Sequence, residues 1–144
     1  MESSAAAPRE RVVVYVLDDR DRLLVFAQQG DPTAGIQLPA GGIDPGETIP
    51  EAATREVREE TGVSCEVVAE LAVLVQTFPG LEPCRNHFVF ARTSRVPEVE
   101  LWTHRVTGGG VDADRPFDCG WMPLERAELI LGANQCAAID AIRP

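Results

Sequence analysis

The segment GGIDPGETIPEAATREVREETGV, residues 41–63, decides the fold of this chain. Thr48 and Glu51 have the spacing of a capping box, in which each residue satisfies a backbone N–H of the other. Pro50 is compatible with the first helical turn, where no N–H needs a helical partner. Gly62 is typical of a helix end. The segment therefore predicts a loop, a helix and a second loop.

The predicted helix has three carboxylates on one side. At about 100° per residue, Glu56, Glu59 and Glu60 fall within an arc of roughly 100°. One interpretation is a solvated acidic face, on which Arg55 pairs with Glu59. The other is a site for hard divalent cations, because Mg²⁺ prefers oxygen ligands and is often held by carboxylates together with substrate phosphates.

The composition excludes several classes of function. The chain has 23 acidic residues, 13 basic residues, no lysine and a formal net charge of −10. Such a chain lacks the positive surface that a nucleic-acid polymer requires, and an anionic substrate would need bridging cations. No apolar run approaches the length of a membrane helix, so no membrane partner is expected. The four cysteines form no C-x-x-C pair, which argues against zinc and a disulfide framework and favours a cytoplasmic location.

The length of 144 residues fits one domain. We expect a flexible N-terminal tail over residues 1–10 and a single domain over residues 11–144. The predicted strands are Arg11–Leu17, Arg22–Gln28, Cys65–Phe78, Cys84–Thr93, residues 98–106 and Phe117–Met122. One or two helices are predicted within Leu124–Ile142. This order indicates an α/β chain of the α+β type, with a mixed sheet covered on both faces.

The segment over residues 41–63 also matches a known sequence pattern at every specified position. From Gly41 to Val63 it resembles the signature of the Nudix hydrolase family, G-x5-E-x7-R-E-U-x-E-E-x-G-U, where U is aliphatic. The resemblance implies the Nudix fold, a mixed β-sheet sandwiched between helices. It also implies an enzyme that depends on Mg²⁺ or Mn²⁺ and hydrolyses the pyrophosphate of a nucleoside diphosphate linked to another moiety.

The resemblance assigns a role to each matched residue. The implied metal ligands are Glu56, Glu59, Glu60 and the backbone carbonyl of Gly41. Arg55 resembles the residue that orients a carboxylate of this cluster, and Glu47 resembles its partner. Glu59 is the preferred general base. Asp112 and Asp114, in a glycine-rich loop, remain alternatives to Glu59, although a solvated turn is the favoured explanation of both.

The substrate is suggested by residues outside the signature. Pro79 lies at a position similar to the pattern of ADP-ribose pyrophosphatases, which favours ADP-ribose or a nucleotide sugar. Arg85 and His87 alternate on one strand face and are candidates for substrate binding, as is Asp112. His104 is expected at the surface. Two alternatives stay open: a nucleoside triphosphate pyrophosphatase and a non-catalytic nucleotide-sensing module. A homodimer also stays open.

Overall fold

The computed structural model describes residues 7–77, 80–93 and 100–144, which form a mixed sheet with two helices. The strands are β1 (Arg9–Leu17), β2 (Arg22–Gln28), β3 (Ile36–Gln37), β4 (Ala40–Gly42), β5 (Glu66–Gln76), β6 (Cys84–Arg92), β7 (Leu101–Arg105) and β8 (Pro116–Pro123). The helices are α1 (Ile49–Thr61) and α2 (Leu124–Ile130), with short 3₁₀ turns at Pro32–Ala34 and Ile139–Ile142. The predicted fold class is confirmed.

The sheet has the order β5-β6-β1-β2-β8-β7, in which β1 and β6 are parallel and the other pairs are antiparallel. β1 pairs with β2 at its C-terminal end, at Leu17↔Leu23. Toward its N-terminal end, β1 instead pairs with β4, for example at Val12↔Gly41. Toward its C-terminal end, β2 pairs with β3, at Phe26↔Gln37. This divergence opens a gap between two central strands, and the gap positions the candidate site.

Helices cover both faces of the sheet, as predicted. β1 is buried on both sides, in agreement with its continuous β-branched run. Val12, Val14 and Val16 pack in one apolar cluster with Val57 of α1. The residues that alternate with them pack in a second cluster, with α2 and the Ile139–Ile142 turn. The helix that carries the glutamates is therefore fixed to the central strand by apolar contacts.

Several boundaries differ from the prediction. β1 begins at Arg9, so the last two residues of the proposed tail belong to a strand that pairs with β6 at Arg9↔Cys84. The loop predicted between β2 and the helix contains β3 and β4, which are too short to give a periodic pattern. In the described part of the chain, no helix is long and apolar enough to cross a membrane.

Both ends of α1 have the predicted caps. The Oγ1 of Thr48 accepts a hydrogen bond from the Glu51 N–H at 3.2 Å, and a Glu51 carboxylate oxygen accepts one from the Thr48 N–H at 3.0 Å. Gly62 ends the helix with a φ of 78°, a left-handed conformation that glycine adopts without strain. These caps set the length of α1 and therefore which glutamates it presents.

Candidate active site

Arg55 joins the loop before α1 to the carboxylates on the helix. Its guanidinium donates two hydrogen bonds to Glu47, at 2.7 and 2.9 Å, and one to the carbonyl of Gly42 at 2.8 Å. It also donates to Glu56 at 2.8 Å and to Glu59 at 3.2 Å. The guanidinium lowers the pKa of Glu47, and the same hydrogen bonds raise the pKa of Arg55. Such a bidentate pair fixes orientation as well as charge.

Glu56 and Glu60 are buried carboxylates, with 9% and 7% of their surfaces exposed. Burial raises the pKa of Glu56 and raises that of Glu60 well above its usual range. Glu60 accepts a hydrogen bond from the Ala40 N–H at 2.8 Å, and a side chain at Gly41 would collide with the carboxylate of Glu56. A side chain at position 41 would therefore displace the carboxylate of Glu56 from its place beside β4. The two acids lie in an environment that favours their neutral form.

The last turn of α1, which carries Glu59, is anchored by residues that follow β6 in the sequence. The carbonyl of Glu59 accepts hydrogen bonds from His104 Nε2 at 3.1 Å and from the Thr107 N–H at 3.0 Å. Trp102 Nε1 donates to the carbonyl of Thr61 at 2.8 Å. His104, expected only at the surface, is therefore half-buried against the helix. This contact joins residues far apart in sequence, so no local pattern signals it.

The acidic side chains are not arranged as a preformed metal site. Within residues 7–77, 80–93 and 100–144, no three or more His, Cys, Asp or Glu side chains form a group that could hold a metal ion. Glu56 and Glu59 are held by Arg55, and Glu60 by the Ala40 N–H. The donors nevertheless fit a hard divalent cation, because they are carboxylate oxygens that burial leaves short of compensating positive charge.

A cavity of about 430 Å³ opens where β1 and β2 diverge. Its described lining comprises Arg11, Val13, Phe26, Gln28, Gln37, Leu38, Ala40, Glu60, Gln76, Asn86, Asp112 and residues 132–135. Glu60 and Asp112 place negative charge at the wall near the helix, and the charge of Asp112 contributes to the raised pKa of Glu60. The cavity therefore reaches the glutamate cluster.

Arg11 was not singled out from the sequence, although it lines this cavity. Its charge lowers the pKa of both Glu56 and Glu60, against the larger effect of burial. Among the described residues, its guanidinium has no hydrogen-bond or ion-pair partner within contact distance. Arg11 directly precedes the apolar run of β1, and this adjacency is the one local signal in the sequence that could have indicated it.

The residues predicted to bind substrate are divided between two places. Asp112 lines the cavity, whereas Arg85 and His87 do not belong to its described lining. Both approach Glu10 instead, at 3.5 and 3.2 Å. The physical reason is strand alternation, because Asn86 faces the cavity and its two neighbours point to the opposite face. Pro79 lies outside the described residues.

The cysteines are free thiols, and burial raises the pKa of Cys65, Cys119 and Cys136. Burial raises the pKa of Cys65 to about 11 and that of Cys119 to about 12. A thiol with such a pKa is almost entirely protonated near neutral pH, and the thiolate is the reactive form. These side chains are unsuited to nucleophilic catalysis.

Comparison with known proteins places this fold and cluster in one family. The model of the NUDIX domain matches residues 7–138. The chain therefore belongs to the Nudix family, as the signature indicated. Nudix hydrolases generally require divalent metal cations.

Individual relatives cover different parts of the chain. A protein named putative 8-oxo-dGTP diphosphatase from Bacillus subtilis is 29% identical over 129 residues, which are 88% of this chain and 74% of that protein. An RNA pyrophosphohydrolase from Erythrobacter litoralis is 48% identical over 59 residues, 40% of this chain and 36% of that protein. Relatives matched above 40% identity align over 59 to 66 residues, and the chain spans only 16% to 41% of their length.

Solved structures show the same fold at low sequence identity. A NUDIX hydrolase from Nitrosomonas europaea superposes with a TM-score of 0.65 at 22% identity, covering 93% of this chain and 87% of that chain. At this identity the likeness concerns the fold. It agrees with the mixed sheet and the two covering helices described above.

Proposed function

We propose that this chain hydrolyses the pyrophosphate of a nucleoside diphosphate linked to another moiety, with the help of Mg²⁺ or Mn²⁺. One observation supports this most directly: Glu60 belongs both to the helix carboxylates and to the wall of the cavity between β1 and β2. A nucleoside bound in that cavity would place its phosphates beside the acidic cluster. The cavity volume lies within the range of about 300–1,000 Å³ that is typical of small-molecule sites.

The proposed metal ligands are the carboxylates of Glu56, Glu59 and Glu60 and the carbonyl of Gly41. Bound cations would offset the charge of the phosphates and lower the pKa of a water molecule. Arg55 is the residue that orients Glu56 and Glu59, and it is itself held by Glu47. This pairing keeps the guanidinium from moving toward the substrate.

The general base and the phosphate-binding group are proposed from position. Glu59 is the preferred base, because Arg55 and the contacts of its own carbonyl fix its location. Asp112 remains the alternative, since it lines the cavity beside Glu60. Arg11 is the candidate to bind a substrate phosphate, because its guanidinium lines the same cavity and acts on the charges of Glu56 and Glu60.

Two classes of substrate are candidates for this chain. Pro79 and its neighbours in the sequence favour ADP-ribose or a nucleotide sugar. A nucleoside triphosphate is favoured by the Bacillus subtilis relative, whose name refers to 8-oxo-dGTP and which aligns with 88% of this chain. We retain the nucleoside diphosphate derivative as the first proposal and the triphosphate as the second.

The setting of the reaction is also proposed. We place the catalytic domain within residues 11–144 together with Arg9 and Glu10 of β1, and we place the protein in the cytoplasm. The free cysteines are compatible with a reducing compartment. The net charge of −10 argues against nucleic-acid polymers as partners. A homodimer is a further possibility, to be decided by measuring mass in solution.

The experiment is a substrate panel assayed for release of phosphorylated products. ADP-ribose, nucleotide sugars, dinucleotides and nucleoside triphosphates are each incubated with Mg²⁺, with Mn²⁺ and with chelator. We expect turnover with metal only, and ¹⁸O from labelled water in a product phosphate. If no nucleotide reacts with either metal, the chain is better explained as a nucleotide-sensing module.

A further inference from the structure

The cavity contains a buried hydrogen-bond acceptor that has no donor. Asn86 of β6 is 3% exposed and lines the cavity. Among the described residues, its side-chain oxygen Oδ1 has no hydrogen-bond partner. A buried acceptor without a donor is unfavourable, and most buried side-chain polar atoms in folded proteins are paired. Asn86 therefore calls for an explanation that packing does not provide.

The orientation of this carboxamide is determined by its neighbours. The Nε2 of Gln76 donates to the backbone carbonyl of Asn134 at 3.2 Å, and a carbonyl can only accept. The Oε1 of Gln76 must then be the group that faces Asn86, where it accepts a hydrogen bond from Nδ2 at 2.5 Å. This bond uses one of the two N–H donors of Asn86 Nδ2. Its oxygen is the acceptor that has no partner among the described residues.

The wall of the cavity carries charged, neutral polar and apolar side chains, and Arg11 of β1 is the register neighbour of Asn86 on β6. Glu60, Asp112 and Arg11 carry the charges near α1. Carboxamides line the same cavity, and apolar side chains such as Phe26 and Leu38 complete it. A neutral, partly apolar pocket with few polar groups suits an uncharged planar ring whose edge forms hydrogen bonds. The charged side chains suit phosphates, with cations between the carboxylates and the phosphates.

We propose that Asn86 Oδ1 accepts a hydrogen bond from an amino or ring N–H group of the substrate's nucleobase, and so contributes to base specificity. The inference rests on the proposed function, because it takes the occupant of the cavity to be a nucleotide. Gln76 acts through Asn86 and is a positioning residue. A site built around an unpaired acceptor discriminates against ligands that lack the matching donor.

Binding of product-like nucleotides tests this without turnover. AMP, GMP and purine riboside 5′-monophosphate, which lacks the amino group, are titrated calorimetrically against the wild-type chain and Asn86→Leu. We expect AMP or GMP to bind the wild type about tenfold more tightly than the purine analogue, the usual size of one hydrogen bond to a ligand. Asn86→Leu should remove this difference.

Two further variants separate recognition from folding. Gln76→Leu, at the half-exposed end of β5, frees the Asn86 carboxamide and should reduce the discrimination while the fold is kept. Gln29→Leu changes a carboxamide that does not line the cavity and bonds to Asp118 at 2.7 Å, so it should leave discrimination unchanged. Asn86→Leu should still unfold in one cooperative thermal transition, because it removes an unpaired buried acceptor together with a single bond to the half-exposed Gln76.

The outcomes distinguish the two proposals. If Asn86→Leu retains the wild-type preference, or if neither AMP nor GMP is preferred over the analogue, the role of Asn86 is wrong. Turnover is measured on the same variants with Mg²⁺. Hydrolysis that is indifferent to Asn86 overturns this inference alone, whereas preserved base discrimination without hydrolysis overturns the proposed function alone.

Discussion

Glu47 and Glu60 belong to one sequence motif and are found in opposite electrostatic environments. Glu47 accepts two hydrogen bonds from Arg55 and one from the Asp44 N–H, and its pKa is lowered. Glu60 is buried with a single backbone donor, and its pKa is raised. At the outer end of the cluster, which is Glu47, the negative charge is therefore offset by a hydrogen-bonded cation. The inner end, which is Glu60, has no such cation. We therefore expect Glu47 and Glu60 to have different roles, although both are glutamates of the same motif.

The largest expected effect follows from changing the inner end. If Glu60 holds a cation, Glu60→Gln should lower kcat by at least about 100-fold, the usual loss when an electrostatic group of an active site is removed. The fold should persist, because the Gln oxygen can still accept the Ala40 N–H. Steady-state kinetics with Mg²⁺, together with a circular-dichroism spectrum, provide the measurement. Near-native turnover in this variant would remove Glu60 from the proposed metal ligands.

The outer end should respond differently, with a joint loss of stability and rate. Arg55→Ala leaves the partly buried carboxylates of Glu47 and Glu56 without their cation. We expect a loss of about 3 kcal/mol in unfolding free energy and a decrease of about 10- to 100-fold in kcat, the range found for groups that orient metal ligands. Urea denaturation and kinetics check both numbers.

Arg55→Lys is the matched control for that variant. Lysine keeps the charge and loses the planar fork that bonds to Glu47 and to the Gly42 carbonyl together. We expect it to recover part of the stability and little of the rate. A lysine variant with full activity would show that charge alone is needed at this position.

Much of the outer end was predictable and much of the inner end was not. The caps of α1 depend on residues within a few positions of Thr48 and Gly62, so spacing alone identifies them. The cavity depends on the divergence of β1 from β2, a property of strand pairing that no local pattern encodes. The sequence indicated Arg85 and His87, whereas Asn86 lines the cavity, and the difference has a related reason. β6 is covered on both faces, so alternation of polarity does not indicate which face borders the cavity.

The contrast in pKa predicts that Glu47 and Glu60 contribute to the stability of the fold with opposite dependence on pH. The pKa of Glu60 is higher in the folded chain than in the unfolded chain, where it is about 4.3. The folded state therefore binds this proton more tightly. Its contribution to stability is complete below the unfolded pKa and is lost as the pH rises through the folded value.

Glu60→Gln in chelator should therefore unfold at a higher temperature than the wild type at pH 7, and the difference should vanish near pH 4. Thermal melts at several pH values in the same buffer series check this. A variant that is less stable than the wild type at pH 7 would mean that the ionised carboxylate favours the fold. Saturating Mg²⁺ should reverse the ranking, because only the wild type retains the full set of proposed ligands.

The smallest effect is expected at the cap, which tests whether stability and rate are separable within the motif. Thr48→Ala removes the acceptor of the Glu51 N–H on an exposed first turn and should cost about 1 kcal/mol. Thr48→Ser keeps the hydroxyl and should restore most of this loss. The urea midpoint should fall while kcat stays within twofold of wild type, because the contacts of Arg55, Glu56 and Glu60 do not involve Thr48. An unchanged midpoint would mean that the helix start is held by the Ala52 N–H bond to the Thr48 carbonyl, not by the side chain.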